Sequence, residues 1–352
     1  MANENVTVTK VKKESKNKIR VEFDRTPLSE RLKSKYISGY FLGRVVWYIF
    51  RLVLLIGVSY VILFPFYSKI ASSFMSPEDF IDVTVRLIPR YPTLGTYAAI
   101  ITENGYLKAL LNTFILSGSC ALIQTFVCSL VGYGFAKFKF KFNKFLFLLV
   151  VFTMIVPHST LQLSMFMEFR YFDILGIMNL LGGGVVDWIS LVEDTSLNLV
   201  NTYWPLWILS ATALAFKNGL YIFMLRQFFS GIPDELEESA AVDGAGVFRT
   251  FVQIVLPNAI PMMITVFMFA FSWQWTDNFY TNTFFTTSGP TLMPDIVSIP
   301  TSLALNTSAA STMYNTAIIN TCGILILLPL LILYCIGQKY IIQGIERSGI
   351  TG

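Results

Sequence analysis

The stretch Ile232–Pro257, IPDELEESAAVDGAGVFRTFVQIVLP, is the one long polar segment in an otherwise apolar second half of the chain. Pro233 suits a first helical position, where no backbone donor is needed, and Asp234, Glu235, Glu237 and Glu238 put negative charge where the helix dipole favours it. Gly244 is the natural break. From Ala245 onward, Val247, Phe251, Ile254 and Val255 recur at helical spacing and predict an amphipathic second helix that runs into Leu256–Pro257. A polar helix, a glycine and an apolar-faced helix make a docking element that must face water.

Everything around this element reads as membrane. Of 352 residues, 54% are hydrophobic and only 14% charged, too apolar for a soluble domain of this length. Runs of about twenty apolar residues, long enough to cross a bilayer as helices, fall near 45–67, 111–135, 145–169, 199–229, 258–275 and 316–335. The expectation is an all-α integral membrane protein with about six transmembrane helices.

Charge distribution sets the expected topology. Lys10, Lys12, Lys13, Lys16, Lys18, Arg20, Arg25, Arg31, Lys33, Lys35 and Arg44 crowd the beginning, and Lys137, Lys139, Lys141 and Lys144 fill the gap between the second and third runs. Arg226 and Arg249 flank the polar element, and Lys339 and Arg347 follow the last run, whereas 173–194 and 281–313 hold acids and almost no basic residues. The positive-inside rule then places both termini and the 232–257 loop in the cytoplasm. The chain divides into a basic tail at 1–44, flexible or lying on a surface, a first span with an outer loop at 45–107, a core at 108–338 and a C-terminal tail at 339–352. Within the core, 182–198 reads as an outer insertion, opened by Gly182–Gly184 and carrying Trp188, either a plain surface loop or a contact for a binding protein. The basic run sits directly before a span and has few aromatics to stack on bases, so it gives no reason to expect a nucleic-acid partner.

Several residues invite a chemical reading. Lys217, in Lys217–Asn218–Gly219, lies inside the fourth run, where an ionisable group is costly and marks a functional site by default. It either snorkels or pairs with an acid such as Glu168 or Asp277, or it lines a substrate path. Trp273, Trp275, Asp277 and Asn278 close the fifth run; they serve equally as interfacial anchors or as the flat faces and polar partners that sugar rings require. His158, the single histidine, follows Pro157 and fits a hydrogen-bonded residue at a proline kink. Cys120, Cys128, Cys322 and Cys335 lie in apolar runs without a CxxC pair, so neither a disulfide framework nor a metal site is implied. No catalytic constellation and no GxxxxGK[ST] phosphate loop occurs. An ion-coupled secondary transporter would carry several acids or histidines within its spans and show an internal repeat, for which Lys217 and His158 are thin material.

The pattern Glu238, Ser239, Ala240, Asp243, Gly244, Ala245, Leu256 and Pro257 resembles the EAA loop of permease subunits of ABC importers, with Ser239 where that family usually has its first alanine. The likeness continues through Leu225–Phe229, LRQFF, and covers roughly 112 to the C-terminus. It implies a type I importer permease fold in a bacterial cell membrane, in which those eight residues couple to separate ATPases. The implied partners are a second homologous permease, two ATP-binding subunits and an extracytoplasmic solute-binding protein, with ATP and Mg2+ held by the partner ATPase and no cofactor on this chain. SPEDF and YPTLGTY in the outer loop, IPDELEE, the Trp275–Asp277–Asn278 tract and the tail from Gln338 resemble the carbohydrate-uptake, maltose-type permeases. An oligosaccharide is therefore the expected substrate, with peptide or other solute permeases of the same superfamily as neighbours.

Overall fold

A computed structural model describes residues 10–14, 20–24, 39–82, 84–173, 192–193, 196–286, 289–304 and 309–349. Most of the 182–198 insertion, Trp188 included, lies outside them. The chain forms two compact units, Met1–Ser68 and Lys69–Gly352.

In the first unit, β1 (Lys10–Glu14) and β2 (Arg20–Asp24) pair antiparallel, in a register running from Lys10 opposite Asp24 to Glu14 opposite Arg20. A hairpin thus stands inside the basic segment that composition reads as flexible or lying on a surface. Helix α1 (Gly39–Ser73) begins in this unit. Its side chains from Val46 to Tyr67 are all exposed and mostly apolar, a surface that hydrocarbon satisfies and water does not.

The second unit is built around α3 (Tyr106–Lys137), which follows the short α2 (Gly95–Glu103). At 32 residues α3 is about 48 Å long, more than a hydrocarbon core requires. Against it pack α6 (Trp204–Ala211), α7 (Asn218–Ser230) and α10 (Leu256–Trp275), while α10 also packs on the long α12 (Ala309–Gly349). Apolar side chains gain little by leaving lipid for a helix interface, so close backbone approach through small residues supplies the packing. A Cβ on Gly132 of α3 would come 3.0 Å from the Leu225 Cβ of α7, and one on Gly337 of α12 would overlap the Met268 Sδ of α10.

Among the described residues, four helices are long and apolar enough to span a bilayer: Gly43–Ser73, Tyr106–Lys137, Val247–Trp275 and Ser311–Gly344. The third expected span is instead two helices, α4 (Asn143–Ile155) and α5 (Gln162–Arg170), the latter led by a 3-10 turn from His158. The chain bends there by 89°, because Pro157 drives Val156 into an extended conformation with ψ 120°. The fourth expected span is likewise broken, into α6 and α7. Ala213 and Lys217 adopt φ values of 59° and 74° between these helices, a left-handed conformation unfavourable for residues with a side chain. The two-residue strands β3 (Val192–Glu193) and β4 (Ser196–Leu197) pair before α6.

The C-terminal segment from Lys339 to Gly349 continues α12 without interruption.

Candidate functional sites

The polar element folds as α8 (Glu235–Val242), a turn and α9 (Val247–Thr250). Gly244 has φ 81°, its N–H donates to Ala241 O, and the next N–H, from Ala245, donates to Ala240 O. This pair of bonds closes the helix as a Schellman cap, which a glycine adopts without strain. From α9 the backbone runs through a π turn, Phe251–Val255, directly into α10. Pro257 sits at the start of that helix, where its missing N–H is tolerated. The second arm is therefore the foot of a membrane-spanning helix, not a separate short helix.

The expected one-sided face divides. Phe251 and Val255 are buried, but Val247 is exposed, and with Phe248 (71% exposed) and Val242 (88%) it forms an uncovered apolar tip. Of the residues expected to couple, Glu238, Ser239, Asp243 and Gly244 are exposed, Ala245 and Leu256 are half-buried, and Pro257 is exposed. Ala240 is buried within the chain, so it packs the loop rather than admitting an outside surface.

Asp234 and Glu237 are the acids that hold the loop, while the carboxylates of Glu238 and Asp243 make no hydrogen bond among the described residues. The side chain of Lys137, at the end of α3, is only 6% exposed, and its Nζ lies 2.5 Å from Asp234 Oδ1 and 3.4 Å from Glu237 Oε1. The same ammonium donates to Ile232 O at 2.6 Å. Tyr133, one turn back on α3, donates its hydroxyl to Glu237 Oε2 at 3.3 Å and sets its ring 4.7 Å from that of Phe251. Lys137 holds the Asp234 carboxyl below the usual aspartate value of 3.8, through its hydrogen bond and then its charge. In the sequence Lys137 reads only as part of a basic tract, and nothing local links it to acids far along the chain.

A second cluster gathers where α4–α5 bend and α6–α7 break. Lys217 Nζ stands 4.3 Å from the centroid of the Phe216 ring and 4.6 Å from that of Trp273. Such contacts are worth about 0.5–2 kcal/mol each, more when water is excluded. Lys217 makes no ion pair among the described residues, with Glu168, Asp277 or any other acid. Beside it opens a cavity of 350 Å³ bounded by Thr153, Pro157, His158, Leu214, Phe216 and Lys217, among others. His158 shares its Nδ1 with the hydroxyl of the buried Tyr280 at 2.9 Å and meets the Phe216 ring edge-on, the kink role expected for it. On the other side of Phe216 a smaller pocket is lined by Gln124, Tyr221, Trp273, Gln274, Asp277 and Tyr280. The Tyr221 hydroxyl and the Gln274 amide nitrogen are buried there without hydrogen-bond partners among the described residues.

The four other residues expected on a substrate path separate. Trp273 is half-exposed and stands against Lys217. Trp275 is fully buried instead, stacked on Phe271 with its indole N–H donating to Ile326 O at 3.0 Å, so it ties α10 to α12. Asp277 accepts the backbone N–H groups of Tyr280 and Thr281 at 2.9 and 3.1 Å and thereby starts α11 (Phe279–Phe284). Asn278 is exposed ahead of that helix. Phe216, His158 and Tyr280, not counted on such a path in the sequence, complete the cluster.

The sequence profile of the family described as "Binding-protein-dependent transport system inner membrane component" matches residues 128–347. The chain is 27% identical over 311 residues, 85% of its length and 95% of the relative's, to the sn-glycerol-3-phosphate transport system permease protein of Yersinia pestis. It is 30% identical over 205 residues, 58% of its length and 60% of the relative's, to the polygalacturonan/rhamnogalacturonan transport system permease protein of Bacillus subtilis. Its fold matches, with a TM-score of 0.61 at 15% identity, a chain of a bacterial ABC transporter involved in the import of the acidic polysaccharide alginate, over 90% of this chain and 99% of that one.

Proposed function

The chain belongs to the family of binding-protein-dependent transport system inner membrane components, and on that premise we propose that it is the permease subunit of an ATP-driven carbohydrate importer working by alternating access. It pairs with a second permease, receives solute from an extracytoplasmic binding protein and rests on two ATP-binding subunits that hold ATP and Mg2+. Both termini and the Ile232–Pro257 loop lie on the cytoplasmic side of a bacterial cell membrane, as the basic residues around 137–144 favour.

The observation that carries this reading is the construction of the loop. Its apolar tip, Val242, Val247 and Phe248, is uncovered, while its root is fixed to α3 by Lys137 and Tyr133 and its far end continues into α10. A partner that seats on the tip and moves therefore displaces a spanning helix rather than a slack loop. Nucleotide closure of the ATPase pair couples to helix rearrangement because each conformation of the loop favours one arrangement of the spans. Two features support a carbohydrate: one relative is named for polygalacturonan and rhamnogalacturonan, and the cavity beside Lys217 is bordered by the rings of Phe216 and His158 with the Thr153 hydroxyl near them.

Reconstitution with the co-purified ATPase and receptor in liposomes tests the proposal. Uptake of labelled oligosaccharide should require ATP and stop when the ATPase subunits are stripped away. Accumulation that continues without them would show a different engine.

A further inference from the structure

Resting on the carbohydrate reading, we propose that Lys217 binds the anionic group of the transported sugar, so that this permease is built for an acidic rather than a neutral glycan. Four observations meet at this residue. Its ammonium makes no ion pair among the described residues, though it lies in a part of the chain where an uncompensated charge is costly. Of the two acids that the sequence offers as partners, Asp277 spends its carboxylate on the backbone N–H groups of Tyr280 and Thr281. Phe216 and Trp273 hold the ammonium from two sides without neutralising it, since a ring quadrupole offers attraction but no counter-charge. The remaining side opens on a cavity of 350 Å³, within the range that ligand sites occupy.

The backbone adds to this. Lys217 itself has φ 74°, and Ala213 four residues earlier has φ 59°, and left-handed non-glycine residues of this kind gather where function over-determines the conformation. The break lifts Lys217 out of a helix side and sets it at the start of α7. His158 lines the same cavity with Nδ1 engaged by Tyr280, which leaves Nε2 for a sugar hydroxyl or a second anionic oxygen. A lysine ammonium is a point charge without the planar fork that selects carboxylates, so carboxylate and phosphate are both within its chemistry.

The test uses the complete transporter in liposomes with matched pairs of substrates: trigalacturonate against its methyl ester, and glucose 6-phosphate against glucose. Wild type should import the charged member of one pair in preference, and which pair shows the preference separates carboxylate from phosphate. Lys217→Gln should lower the charged-to-neutral ratio roughly tenfold, the scale of one charge-assisted hydrogen bond, and Lys217→Arg should restore most of it. A ratio that Lys217→Gln leaves unaltered, whatever happens to the overall rate, overturns the proposal, as does a wild type that carries charged and neutral members equally. The wild-type ratio needs no variant to fold. Import of the neutral sugars alone would leave the carbohydrate reading standing and remove this one; import of no sugar would remove both.

Discussion

Lys137 Nζ and Asp234 Oδ1 lie 2.5 Å apart across 97 residues of sequence, joining the last turn of α3 to the first turn of the exposed loop. Because Lys137 also reaches Ile232 O and Glu237, one nearly buried ammonium fixes where the loop starts. Replacing it by alanine leaves Glu237 with Tyr133 alone among the described residues and lets the root of the loop swing. Lys137→Ala is expected to lower sugar imported per ATP hydrolysed by about tenfold, while Lys137→Arg, which keeps a charge and donors, should retain most of the coupling. Simultaneous assay of uptake and phosphate release checks this; an unchanged ratio in Lys137→Ala would refute the anchor.

The same tie predicts a direction with pH. Asp234 is held below its ordinary value by Lys137, so its contribution is complete above the ordinary value of 3.8 and fades as pH falls through the lower folded value. Protection of the α8 amides from hydrogen exchange should be level from about pH 8 to about pH 5 and drop only below the ordinary aspartate value, and Asp234→Asn should remove that acid step. Loss of protection around neutrality would point to another group.

Gly244 closes α8 in a left-handed conformation with open space where a Cβ would stand. A side chain there costs about 1–2 kcal/mol of local strain and meets nothing in this chain, so its effect falls on the loop and whatever docks there. Gly244→Trp and Glu238→Lys are expected to abolish import while the protein still inserts in the membrane. Normal import in either variant would remove the coupling assignment.

Trp273 and Trp275 are two residues apart and should behave as opposites. Trp275→Ala opens the core between α10 and α12 and removes the indole hydrogen bond to Ile326 O, for a loss of about 3–5 kcal/mol; its melting temperature should fall and little protein should survive extraction. Trp273→Ala removes one wall from Lys217 and leaves the core whole, so stability should hold while import slows. Equal stability of the two variants would contradict the separation.

Gly337 meets Met268 so closely that any Cβ would force the sulfur aside. Gly337→Leu should destabilise by about 1–3 kcal/mol, and Met268→Ala should recover part of that loss in the double variant. Additive losses in a thermal-melt cycle would show that the two sites are not in contact.

Some of the architecture was legible because it rests on local chemistry. The helical class follows from runs that must satisfy their own backbone in lipid, and the acidic first turn with its closing Gly244 predicts α8 and its cap from neighbouring residues alone. His158 after Pro157 marks the bend for the same reason, although not its 89° sweep. The break before Lys217 was not legible, since Ala213 and Lys217 hold left-handed conformations that no residue type there announces. The outward turn of Val247 and the burial of Ala240 were equally hidden, because helical spacing gives a face and not what covers it.

From its residues in order, this chain determines that it crosses a membrane, that one acidic, glycine-closed loop stands apart from lipid, and that no nucleotide loop lies within it; each follows from composition or from atoms a few residues apart. Only the tertiary structure decided that Lys137 secures that loop, that Trp275 belongs to the core while Trp273 stands against Lys217, and that Lys217 borders a cavity with aromatic rings but no counter-ion among the described residues. Those outcomes depend on which helices lie side by side, and the separations involved exceed anything that periodicity along the chain can encode.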